Sequence, residues 1–160
     1  MRLAALVLLV LASSAGVAGE TRAAPVLSKV QSDYLLACGG CHGETGVSNG
    51  RLVPDLAGQV GHFMNTAEGR AYLVRLPNVA AAALDDAALA DVLNFMVWTI
   101  GGASAPPAAR RFSAGEVAPL RQRPLNGVSL RALRATPVET LVSEHGAPPA
   151  LRVYGESASW

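Results

Sequence analysis

Two thiols and an imidazole fall within five residues in Cys38-Gly39-Gly40-Cys41-His42. Three kinds of chemistry are open to such a group. The thiols can add to the two vinyl groups of a haem, while the next residue sets its imidazole under the iron. The two-residue spacer keeps both sulfurs on one turn. The thiols can instead cycle between dithiol and disulfide, a chemistry that favours a βαβ setting with the first Cys opening a helix. Zinc binding is the third, but it needs about four ligands, and only His62 and His145 remain as further histidines, without useful pairing. A helix-like stretch leads into Cys38 and no strand-like alternation precedes it. Covalent attachment of one haem c is therefore the expectation, with Cys38, Cys41 and His42 as its residues.

The compartment agrees with that chemistry. Met1-Arg2 is a short basic start, Leu3 to Ala12 is almost wholly apolar, and small residues follow through Gly19. This is the n-, h- and c-region order of a secretory signal peptide. Residues 1–19 are read as that signal, with the cut after Ala18 or a few residues on, and the protein is expected in the periplasm. An uncleaved anchor is the alternative; the apolar run is short for a full span. No stable membrane span is expected after cleavage. Thirteen Lys and Arg against twelve Asp and Glu give a net charge of +1, which argues against a nucleic-acid partner. The charge is unevenly spread. Residues 25–100 hold four basic and seven acidic side chains, residues 101–160 seven basic and four acidic.

The elements that must position the thiols and the imidazole read as helices, and an all-α fold is expected. Val26, Val30 and Tyr34 recur every four residues behind Pro25, predicting a helix over 25–37. Gly43 to Gly61 is loop-like. Helical character returns over 62–76, interrupted at Gly69 and stopped by Pro77. Asp85 is a good N-cap for a helix whose apolar stripe is Leu89, Val92, Leu93, Met96 and Ile100, ended by Gly101-Gly102. Residues 103–110 form an Ala/Pro/Ser linker. Ser113 and Glu116 form a capping-box pattern opening a short helix to about Arg123. A second short basic helix is expected over 128–134, and after Pro137, where there is little periodic signal, the extension is expected to be disordered. This divides the chain into residues 25–102 and a linker with a basic C-terminal extension, 103–160.

Residues 26–100 resemble a class I c-type cytochrome domain. Such domains carry an aromatic four residues before the first Cys, where Tyr34 stands. A Pro-x-Leu follows the haem His, as Pro54-Asp55-Leu56 does here. The terminal helix has an aliphatic-aromatic-aliphatic stretch, matched by Val92-Leu93-Asn94-Phe95-Met96. The resemblance implies that the Pro54 carbonyl accepts the Nδ1–H of His42, that Pro54 and Leu56 border the haem, and that Phe95 packs near Tyr34 and Val30. It also exposes a departure. The loop that supplies the distal Met in most of the family is here Pro77-Asn78-Val79-Ala80-Ala81-Ala82-Ala83, with neither Met nor His.

The sixth iron ligand must then come from elsewhere or be absent. Met96 is the first choice, an ordinary core Met being its plain alternative. Met64 and His62 are the others, and an open iron is the fourth outcome. Arg70, Tyr72 and Arg75 form a donor set suited to haem propionates, with Arg51 a further possibility; a solvated helical face explains them equally well. In the extension, basic residues interleave with apolar ones over 111–135. The two short helices expected there either dock on the domain or on a partner, or remain solvated.

The function expected is single-electron transfer between redox partner proteins, such as a periplasmic dehydrogenase, an oxidase or another cytochrome, without catalysis by the chain itself. A haem subunit of a larger oxidoreductase, docked through residues 111–135, is a second reading. A gas-binding or sensor haem is the third, and a thiol–disulfide protein without haem the fourth.

Overall fold

The computed structural model describes residues 26–48, 53–126 and 129–154. The signal segment, Pro25, Arg51 and Val128 lie outside them. Every regular element among the described residues is a helix, so the fold is all-α. No helix among them is long and apolar enough to cross a membrane.

Helix α1 (residues 29–42) starts later and ends later than the periodicity predicts. Ser28 sets its start. Its side chain accepts from the backbone of Gln31, and Gln31 Oε1 accepts from Ser28 N at 2.9 Å, a reciprocal cap. Val26, predicted on the apolar stripe, is exposed. The α-helical stretch Lys29–Tyr34 continues through a π turn, Leu35–Gly39, and a closing turn, Gly40–His42. The Cys-x-x-Cys-His group thus lies on the helix rather than after it. Gly39 and Gly40 both take helical angles, since glycine weakens a helix by only about 1 kcal/mol. The helix stops at Gly43, at φ 73° and ψ 167°, a backbone that only glycine adopts readily; a Cβ there would also stand 2.2 Å from the Val47 carbonyl oxygen.

Helix α2 (Ala67–Arg75) is not interrupted at Gly69. Gly69 is instead the residue whose N–H reaches the capping hydroxyl of Thr66 at 2.9 Å. Its missing side chain leaves room for the Phe63 carbonyl, which a Cβ would approach to 2.4 Å. A short turn, Pro77–Ala80, leads to Asp85, which caps the next helix as predicted, Oδ1 accepting from Ala88 N at 2.7 Å. Helix α3 (residues 86–100) comprises Asp86–Asn94 and a π turn, Phe95–Ile100. Leu89, Val92, Leu93 and Met96 are all buried. Helices α1 and α3 cross where Tyr34 meets Phe95, ring centroids 5.5 Å apart at 58°, as the resemblance implies.

The extension is packed onto this frame. Helix α4 (Ala114–Arg121) lies against α2 and α3, and α5 (Leu130–Glu144) against α2 and the 3-10 segment Val60–Asn65. Val117, Val138, Leu141 and Leu151 are at most 3% exposed and share one core with Leu89 and Val92. That burial explains why α5 runs through Pro137. An internal proline costs about 3 kcal/mol, while burying Val138 and Leu141 contributes about 1.5–3 kcal/mol each.

Arginines fasten the extension. Arg70 grips Glu116 with two hydrogen bonds of 2.7 Å, lies over the Phe112 ring, and donates to the Arg110 and Arg111 carbonyls. Glu116 therefore does not close the capping box that the sequence suggests; Ser113 caps α4 alone. Arg75 donates to the Arg123 carbonyl at 2.6 Å, and its own carbonyl accepts from Leu125 N at 2.7 Å. Arg70→Ala is expected to lower the unfolding free energy by about 2 kcal/mol, because it leaves a half-buried carboxylate and two carbonyls unmatched. A chemical-denaturation midpoint measures this, and the chemistry at Cys38–His42 should be unaffected.

Candidate functional site

The loop after α1 is shaped to present one carbonyl. Gly46 O accepts from the backbone of Leu56 and Ala57 at 2.8 and 3.1 Å, and Asp55 Oδ1 accepts from Ser48 N and Oγ at 2.8 and 3.0 Å. Pro54, held between these bonds, directs its carbonyl to His42 Nδ1 at 3.1 Å. A carbonyl only accepts, so Nδ1 carries the proton. Burial pushes the His42 pKa below its ordinary value, outweighing the Pro54 bond that raises it. The ring is thus neutral, with its Nε2 lone pair free for a metal.

Cys38 and Cys41 are free thiols one helical turn apart, Cys41 exposed and Cys38 half-buried. Burial, with a smaller contribution from Cys41, pushes the Cys38 thiol up to about 11. Thiol–disulfide catalysts need the opposite, a thiolate stabilised at neutral pH, usually where a helix begins. Cys38 lies deep in a helix instead.

Beside this face of α1 open two adjoining lobes of a cavity, of about 110 and 100 Å³. His42, Val53, Asn78, Val79, Leu93 and Met96 border both lobes. Cys38 and Cys41 border the smaller one. The walls are mainly aliphatic, and the polar residues Asp55, Gln59, Tyr72, Arg134 and Tyr154 border the larger lobe but not the smaller.

The residues singled out from the sequence divide sharply. Pro54, Leu56, Tyr72 and Met96 border the cavity with His42. Arg70 and Arg75 do not; they are the fasteners of the extension, and the proposal that they serve propionates is corrected. Met64 is buried outside the cavity lining, its sulfur 3.8 Å from the Arg70 guanidinium. His62 sits on the 3-10 segment, also off the cavity. The reason is common to all four. Each lies on a face of α2 or of the 3-10 segment that the extension or solvent claims, and helical spacing alone does not reveal which.

The cavity's polar end includes residues that the sequence reading passed over. Arg134 is 6% exposed, and one terminal nitrogen donates to the Leu151 carbonyl at 3.0 Å. Its guanidinium lies 5.0 Å over the Phe63 ring, which stacks on Tyr72 at 5.2 Å. Nothing in the spacing marked this arginine out from its exposed neighbours. Gln59 and Asn78 were equally silent.

Among the described residues no cluster of three or more His, Cys, Asp or Glu side chains is placed to hold a metal ion, so the ligands of a zinc site are not assembled. Comparison with protein-family models, with curated proteins and with solved structures gives no match for this chain.

Proposed function

We propose that this chain is an exported monohaem c-type cytochrome that carries single electrons between partner proteins. The observation that carries the reading is the neutral His42 ring, its Nδ1–H donated to Pro54 and its position on an apolar cavity that the two thiols also border. In attachment, each thiol adds across a vinyl group: a sulfur–carbon bond forms, and the thiol hydrogen goes to the neighbouring carbon. No oxidant is needed. The bound haem iron supplies a one-electron couple. The protein's part is to hold the imidazole, exclude water with Leu56, Leu93 and Val79, and keep the thioether edge close to the surface at exposed Cys41.

Met96 is the proposed sixth ligand, being the methionine that borders both lobes. A gas-binding haem is the second reading, favoured by the absence of Met and His from the 77–83 loop. The purified protein should show a c-type pyridine haemochrome spectrum. Its ferric form should have a long-wavelength Met–iron charge-transfer band that Met96→Ala abolishes. Carbon monoxide binding to the ferrous wild type, with no such band, would establish the gas-binding reading instead; a chain without haem defeats both.

A further inference from the structure

We infer that the C-terminal helix α5 completes the cofactor cavity, with Arg134 as the positioning residue that holds a carboxylate of the bound group. The inference rests on the haem reading above, under which that carboxylate is a haem propionate.

Burial gives the first argument. Arg134 is the one charged side chain among the described residues that is fully buried. A guanidinium does not shed its proton, so its charge must be met inside the protein. It is met only in part. The Leu151 carbonyl takes one terminal nitrogen and the Phe63 ring covers one face, while Nε has no acceptor among the described residues. No ion pair to Arg134 is formed among them either; Asp55, the carboxylate bordering the same lobe, is occupied by Ser48.

Position gives the second. Arg134 borders the larger lobe together with Tyr72, Tyr154 and Gln59. Gln59 Oε1 is also buried without a partner, and a half-turn of that amide exchanges its oxygen for a donor nitrogen. A guanidinium, two phenols and an amide form a donor set for a carboxylate, the guanidinium supplying charge-assisted bonds. Arg70 and Arg75 are engaged elsewhere, so Arg134 is the arginine available to this cavity among the described residues.

Sequence position makes this informative. Arg134 and Tyr154 lie well beyond residue 100, where the resemblance to a cytochrome domain ends. The extension thus belongs to the binding site rather than serving only as a surface appendage. A cation here favours the less positive, reduced state of the iron and offsets the carboxylate's charge.

The test compares wild type, Arg134→Gln and Arg134→Lys as holoproteins. Haem content is measured by pyridine haemochrome, reduction potential by spectroelectrochemistry, and the propionate bending bands by resonance Raman. Arg134→Gln is expected to lower the potential and shift those bands, and Arg134→Lys to restore most of both. Wild-type potential and bands in Arg134→Gln overturn the inference, as does a Lys variant displaced as far as the Gln variant. If Arg134→Gln fails to accumulate, accumulation of haem-loaded Arg134→Lys supports the charge requirement, and equal loss of both overturns it. Absence of haem from the wild type is seen before any variant is made; it defeats the haem reading and this inference with it.

Discussion

Replacing Cys38 and Cys41 together by serine is expected to abolish covalent haem in the purified protein. Serine is nearly isosteric, and the helix that carries these residues does not depend on them: Cys41 is exposed and Cys38 only half-buried. The loss is therefore chemical rather than structural. A hydroxyl does not add to a vinyl group as a thiol does, so both tethers disappear while His42 and its bond to Pro54 remain. Each single replacement should leave one thioether, with a red-shifted haemochrome band and haem that resists acid–organic extraction. In the double variant any haem held by His42 alone should extract completely. Extraction followed by haemochrome spectroscopy of both fractions makes the measurement. Covalent haem persisting in the double variant would sink the attachment chemistry proposed for these thiols.

Arg121→Ala carries the second large effect, this time on stability. The Arg121 side chain, 12% exposed, donates to the carbonyls of Ala80, Ala82 and Leu84 at 2.7–3.0 Å and meets Asp86 Oδ1 at 3.1 Å. These four acceptors lie in and just after the segment between α2 and α3; of the three carbonyls, only that of Ala82 also has a backbone donor, Leu84 N at 2.8 Å. Truncation leaves the Ala80 and Leu84 carbonyls short of a donor, at about 1–3 kcal/mol for each that stays buried. Some will find water as the loop relaxes, so a net loss of about 3 kcal/mol is expected. The denaturation midpoint should fall with little change in slope. Because Asn78 and Val79 border both cavity lobes, loosening this loop should also make the cavity more open, read under the proposed haem function as faster binding of external ligands to the iron. A stability within 0.5 kcal/mol of wild type, in the ordinary range for a surface substitution, would show that the loop holds itself.

Much of the site could be read from spacing. Five consecutive residues hold the thiols and the imidazole, and Pro54 is reached by a loop short enough that family resemblance places it; the structure gives it the expected bond to His42. The crossing of Tyr34 and Phe95 was legible only through the resemblance, because Phe95 lies off the apolar stripe that local periodicity marks. The caps at Asp85 and Ser113 follow from side chains that bond within three residues.

The extension was not legible in this way. Leu130–Glu144 has a weak periodic signal and an internal proline, and its helix persists because Val138 and Leu141 find partners far away in the chain. The arginines show the limit most clearly. Arg70, Arg75, Arg121 and Arg134 are chemically alike, yet three fasten the extension or its loop and the fourth borders the cavity.

The chain by itself determined the grouping of Cys38, Cys41 and His42 and the all-helical class, and the resemblance pointed to Pro54 as the partner of His42, because these rest on residues close in sequence. Only the tertiary structure decided which arginine faces the cavity, that Met96 borders it while Met64 and His62 do not, and that residues beyond 110 are part of the wall. Those outcomes depend on which helix faces pack together, and contacts over forty or more residues leave no mark in local spacing.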